Sequence, residues 1–219
     1  VNGPSHHPDD DLLLAYAAGG PGGVKALLVA THLAFCPDCR RRVAAFEAEC
    51  GAWLETLPPS DGTDDGLTAL LARLDDQPRS PAPPVPASRR RTVPLHNPTI
   101  PEPLRSRLGG PVEGFAWTPV SEGVDLSVWS QADGGSSVCL LRMAAGHPVP
   151  PHHHTAGEML LVLKGGFRDE YGHFVRGDVA SYVGDSDHHA VADTDGECLC
   201  LFLLDGPIEF LDAPATPPA

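Results

Sequence analysis

The sequence predicts a two-domain α+β protein. A small all-helical domain spans residues 1–77, a linker 78–108, a small β-barrel or sandwich 109–212 and a short proline-rich tail 213–219. Three observations carry that prediction. Apolar residues in the first third recur at helical spacing, nine prolines crowd residues 77–103, and from residue 109 short β-type runs alternate with turn residues. Charge follows the same boundaries. Basic against acidic side chains number 5 against 12 in 1–77, 6 against 1 in 78–108 and 4 against 16 in 109–219, so a basic tether joins two acidic units.

The bulk composition excludes some functions. A formal charge of −14 argues against direct nucleic-acid binding, because neutralising phosphates needs a basic surface. An acidic chain engaged in transcription would hold a basic protein instead. No apolar run approaches the roughly 18 residues of a membrane span, and VNGPSHHPDD lacks the basic and apolar regions of a signal peptide. The expected location is the cytoplasm. There, the six cysteines are metal ligands, redox pairs or small core residues rather than a disulfide framework.

Taken in order, Asp9, Asp10 and Asp11 form the acidic first turn of a helix through LLLAYAAG that ends at Gly-Gly-Pro. A second helix covers 24–34. Pro37 opens a third, whose apolar positions are Val43, Phe46, Cys50, Trp53, Leu54 and Leu57, and Pro58-Pro59 stops it. Leu67, Leu70, Leu71 and Leu74 then make one stripe on a short fourth helix. Four short helices in 77 residues bury little, so outside support is expected. HLAFCPDC supplies it. His32, Cys36 and Cys39, spaced H-x3-C-x2-C at a helix junction, can turn one imidazole and two thiolates towards a common zinc, with a fourth ligand from the pair His6-His7. The alternatives are ordinary helix-end cysteines, or a redox pair that closes a disulfide when zinc leaves.

The linker is a semi-rigid, extended segment that does not pack as helix or sheet, and its Arg89-Arg90-Arg91 run reads first as a solubilising feature. Beyond it come VDLSVWS, SSVCLLRM, EMLLVLK, GFRDEY, DVASYV and ECLCLFLL. Val124, Leu126 and Val128 share one face; Cys198, Cys200, Phe202 and Leu204 share another. A barrel mouth lets neighbouring strands converge on one ion. The stretch 146–165, GHPVPPHHHTAGEMLLVLKG, brings His152, His154 and Glu158, and His188 follows about thirty residues later. Three imidazoles and one carboxylate make a divalent-metal site.

Residues 146–165 resemble the first cupin motif, G-x5-H-x-H-x3-E-x6-G, without a gap. Gly177 and His188 match the second motif in part, with Val183, Asp185 and Ala192 where Pro, Gly and Asn are usual. The resemblance implies a cupin, a double-stranded β-helix, whose metal ligands are His152, His154, Glu158 and His188; the adjacent His153 and His189 turn outward. The metal is divalent, and Zn, Mn, Fe and Ni all suit this donor set. The N-terminal part, with HH, AYAAG, VATHLAFCPDCR and a leucine-striped helix, resembles the zinc-binding anti-sigma domain. Its union with a cupin is similar to the ChrR family of anti-sigma factors. That likeness implies zinc held by His7, His32, Cys36 and Cys39, and a partner that is an extracytoplasmic-function sigma factor kept from core RNA polymerase and promoter DNA. It also implies release upon oxidative stress, singlet oxygen or organic peroxide, sensed through the cupin.

The leucines 67, 70, 71 and 74 are then the sigma-binding candidates, with closure of the helical core as the rival reading. Cys198 and Cys200 read as small core residues. Two other functions remain open from sequence: a mononuclear cupin enzyme, dioxygenase or isomerase, with a helical accessory domain, and a redox switch built on Cys36 and Cys39 with the cupin as a homodimer platform.

Overall fold

The computed structural model describes residues 3–20, 22–58, 65–75, 100–109, 112–131, 137–184 and 186–211. The arginine run, most of the expected linker and the expected tail lie outside them.

Helix α1 (Asp10–Ala17) begins at Asp9, whose carboxylate accepts the Leu12 N–H at 2.7 Å and so satisfies one orphan donor of the first turn. Helices α2 (Gly23–Phe35) and α3 (Pro37–Thr56) meet at the single residue Cys36. The Cys36 N–H closes α2 on His32 O, while its sulfur accepts the Cys39 N–H at 3.3 Å and caps α3. Leu13, Val29, Cys36, Cys39 and Val43 form a small buried cluster among these helices. Beyond Cys50, which is half-buried, the stripe of α3 finds no cover among the described residues: Trp53 is 78% exposed, and Leu54 and Leu57 are exposed as well. Helix α4 (Asp65–Asp75) likewise leaves Leu67, Leu70, Leu71 and Leu74 exposed, so these leucines do not close the helical core.

One element departs from the expected linker. Residues Glu102–Leu108 form helix α5, which buries Leu104 and Leu108 against α2 and the barrel. The neighbouring prolines do not prevent this. Pro103 falls in the first turn, where a missing N–H costs nothing, and Gly109 follows the last turn.

The barrel region carries twelve strands among the described residues. The largest sheet runs β1 (Thr118–Ser121), β2 (Val124–Gln131), β3 (Ser137–Met143), β11 (Cys198–Leu204), β5 (Glu158–Lys164), β8 (Val179–Tyr182), all neighbours antiparallel. Facing it are β10 (Val191–Ala192), β6 (Gly166–Arg168) and β7 (His173–Val175) in one small sheet. A second small sheet holds β12 (Ile208–Phe210), β4 (His152–His154) and β9 (Ser186–His188). Gly165 closes the motif between β5 and β6 at φ 68°, where a Cβ would sit 2.4 Å from Glu197 O.

Strand β11 is buried along its whole length, and the reason lies on its two faces. Cys198, Cys200, Phe202 and Leu204 point into the barrel with Phe167 and Tyr182. Leu199, Leu201 and Leu203 point outward and are covered by Leu27 and Leu28 of α2 and Leu104 and Leu108 of α5. The helical part is therefore docked on the barrel, sharing one apolar cluster with it. Val128, expected on one face with Val124 and Leu126, is exposed where a register shift between Val128 and Ser130 interrupts the ladder. No described helix is long and apolar enough to cross a membrane.

Candidate metal centres

The α2–α3 junction gathers the first cluster. His7, His32, Cys36 and Cys39 present donor atoms that all lie within 4.8 Å of one another. His7 Nδ1 is 3.5 Å from Cys36 Sγ and 3.4 Å from Cys39 Sγ, and His32 Nε2 is 3.3 Å from Cys39 Sγ. A tetrahedral zinc with bonds of about 2.0–2.3 Å separates its ligands by roughly 3.3–3.8 Å, so the donor set fits the ion. His6, the other candidate, faces away from the sulfurs: its ring lies 4.4 Å from that of Phe174, and its Nδ1 is 3.4 Å from Asp178 Oδ2.

The chemistry of the donors fits too. His32 Nδ1 donates to Gly177 O at 2.8 Å, which leaves Nε2 as a free lone pair directed at the cysteines. Burial holds His32 down to about 4, so its imidazole is neutral at physiological pH. Burial, with Cys36 adding, pushes the Cys39 thiol up to about 12. A divalent cation supplies the positive charge that opposes this and favours the thiolate.

The second cluster sits in the barrel. Strand β4 lies between β12 and β9, pairing His152 with His188 and turning His152 and His154 inward while His153 faces out to Asp187 at 2.7 Å. Glu158 opens β5. His188 Nε2 is 3.0 Å from His152 Nε2 and 3.2 Å from His154 Nε2, and Glu158 Oε2 is 2.6 Å from His154 Nε2. All four residues are buried. Neighbouring ligands of an octahedral ion at about 2.1 Å stand about 3.0 Å apart, so this set also fits a divalent metal. Although Glu158 Oε2 lies 2.6 Å from His154 Nε2, the two are not aligned as a hydrogen bond, and a cation at the centre would satisfy the buried carboxylate oxygen. His152 Nδ1 bonds Pro150 O at 2.8 Å, fixing its Nε2 towards the centre.

Electrostatics in the barrel follow burial. It raises Glu158, opposed by the contact with His154; it lowers His152; and it holds His188 down to about 3, with His152 and His154 adding. Tyr182, at the end of β8, packs its ring 4.1 Å from that of His188 and donates its hydroxyl to Asp169. His189 is exposed and pairs with Glu170 at 2.6 Å. Cys198 and Cys200 lie in the barrel interior with sulfurs 3.7 Å apart. The cavity at this centre, lined by His152, Glu158, His188 and Tyr182 together with apolar residues such as Leu141, Phe167 and Phe202, measures ≈ 20 Å³. Small-molecule sites run to roughly 300–1,000 Å³.

Gly177 and Asp178 tie the first cluster to the barrel; the sequence named Gly177 only as a cupin-motif glycine and did not point to Asp178.

Fold and centres together define a cupin barrel with a three-histidine, one-carboxylate set, docked to a helical two-histidine, two-cysteine unit. Residues 107–209 match the family described as the ChrR cupin-like domain. The anti-sigma-E factor ChrR of Cereibacter sphaeroides is 36% identical over 206 residues, covering 94% of this chain and 92% of that protein. The chain belongs to the ChrR family of anti-sigma factors. A solved structure, Rhodobacter sphaeroides SigE in complex with the anti-sigma ChrR, matches with a TM-score of 0.74 at 32% identity, over 91% of this chain and 98% of that one. The relative is a regulator rather than an enzyme.

Proposed function

We propose that this chain is a cytoplasmic anti-sigma factor that sequesters an extracytoplasmic-function sigma factor through its helical domain. The observation that carries the reading is the exposed apolar surface on the helical unit: Trp53 and Leu54 on α3, Leu57 just past its end, and Leu67, Leu70, Leu71 and Leu74 on α4. Apolar helix faces that no described part of their own chain covers suit helix-in-groove recognition. The 36% identical relative is named for anti-sigma activity, and the 32% identical one was solved with its sigma factor. The helical centre takes zinc, which holds the segment carrying His7 against the α2–α3 junction and so stabilises a bundle too small to hold itself.

The cupin centre is the sensory end. It holds a divalent metal, and oxidative stress acting there favours release of the sigma factor. Release requires that the oxidised barrel bind sigma more weakly by several kcal/mol, since an equal effect on bound and free states shifts nothing. Strand β8 supplies a short physical route, running from the helical unit at Val179 to Tyr182 against His188. An enzymatic reading has less support, because the cavity that the ligands themselves line is far smaller than a substrate site.

Co-expression with the sigma factors of the source genome tests this. One extracytoplasmic-function sigma factor co-purifies in equal stoichiometry; capture of none of them overturns the reading.

A further inference from the structure

The helical metal cluster is not built by the helical unit alone. Two of its ligands are held by three consecutive barrel residues, Gly177, Asp178 and Val179, at the turn between β7 and β8. Gly177 O accepts from His32 Nδ1 at 2.8 Å. Asp178 Oδ1 accepts the N–H groups of Ser5 at 2.6 Å and His6 at 3.0 Å, and the Val179 N–H donates to His6 O at 3.1 Å. The segment that delivers His7 is thus pinned at Ser5 and His6, immediately before the ligand. Asp178 is fully buried, and its second oxygen accepts the Val175 N–H at 2.8 Å, so the turn orients it rigidly. Gly177 has φ +95°, and a Cβ there would stand 2.8 Å from Pro4 Cγ and 3.0 Å from Phe35 Cβ. The barrel backbone approaches both ligand-bearing segments as closely as a glycine allows.

We propose that the turn 177–179 is a bracket that positions His7 and His32, with Asp178 as the positioning residue, so that the helical metal site reaches full affinity only when docked on the barrel. The inference rests on the metal assignment of the His7, His32, Cys36 and Cys39 cluster and is independent of any sigma factor. Outer partners that orient metal ligands are worth roughly 10–100-fold in affinity. Here they come from another layer of the fold, some 145 and 173 residues away in sequence.

Cobalt(II) reads the site directly, because thiolate-to-cobalt charge transfer arises from the centre with Cys36 and Cys39 and not from the three-histidine, one-carboxylate centre. The full chain is stripped of metal, titrated with cobalt and compared with Asp178→Ala, Asp178→Asn and Gly177→Ala. Asp178→Ala and Gly177→Ala weaken the thiolate-band titration by about 10–100-fold while barrel-site cobalt binding stays at the wild-type level. Asp178→Asn, which keeps an oxygen for the Ser5 and His6 N–H groups, falls between wild type and Ala. If Asp178→Ala does not fold, Gly177→Ala, which keeps the Asp178 carboxylate but strains the turn and wedges it against Pro4 and Phe35, decides the matter. Wild-type thiolate-site affinity in the folded variants overturns the bracket, and so does an equal loss at both centres, which marks general destabilisation. Absence of thiolate bands from the wild-type chain overturns the underlying metal assignment instead.

Discussion

Replacing Leu28 by Ala probes the docking of helix on barrel. Leu28 is fully buried on α2 and belongs to the cluster that includes Leu104 of α5 and Leu161, Leu199 and Leu201 of the large sheet. The substitution removes three carbon groups, about 2.4 kcal/mol at ~0.8 kcal/mol each. A cavity term adds to this, because a hydrogen-bonded sheet on one side and a helix on the other restrict collapse. The expected loss is about 3–4 kcal/mol, within the usual span for a buried Leu→Ala. That is a large share of the roughly 5–15 kcal/mol that stabilises a domain. Urea unfolding of the metal-loaded chain provides the assay, followed by helical circular dichroism and by tryptophan fluorescence, since Trp117 and Trp129 pack against the same cluster. Both probes shift together to lower urea. A loss below about 1 kcal/mol, or a helical transition that moves while the tryptophan transition stays, would refute the shared core.

Other outcomes follow from the same geometry. In the metal-free chain, His32 and His188 are held down to about 4 and about 3, so below their ordinary value of 6.5 the unfolded state binds protons that the folded state refuses. Their contribution is fully present above pH 6.5 and is lost as pH falls towards 4, on the order of 1 kcal/mol per pH unit for each histidine; urea midpoints at pH 7, 6 and 5 check this, and a constant midpoint contradicts it. Cys36→Ser with Cys39→Ser removes one equivalent of zinc per chain, read by elemental analysis, and leaves the barrel metal in place. Leu70→Asp with Leu71→Asp lowers stability by about 1 kcal/mol, because both side chains are half-exposed and Asp is the poorer helix former, yet weakens sigma binding at least tenfold, a loss of about 1.4 kcal/mol in a titration.

What was legible in the sequence was local. H-x3-C-x2-C and H-x-H-x3-E place ligands within one helix junction or one strand turn, and the backbone geometry of those elements does the rest. The choice between His6 and His7 was not local: His6 turns to Asp178 and Phe174 of the barrel, leaving His7 to the cysteines. Asp178 escaped notice because its partners Ser5 and His6 stand 173 and 172 residues away. Helix α5 was hidden by its proline-rich setting, although Pro103 just inside its start and Gly109 just past its end were the signals to weigh. Periodicity correctly marked α3 and α4 as helices with apolar faces. It carries no information on what covers those faces, and for Trp53, Leu54 and the α4 leucines nothing in the described chain does.

Transcription with purified components tests the central claim most directly. Core RNA polymerase, an extracytoplasmic-function sigma factor from the same genome and its promoter are combined, with the metal-loaded chain added to sigma beforehand. One equivalent of chain abolishes the sigma-dependent transcript, and Leu70→Asp with Leu71→Asp restores it. An undiminished transcript at a molar excess of the wild-type chain, across every such sigma factor of that genome, would contradict the account.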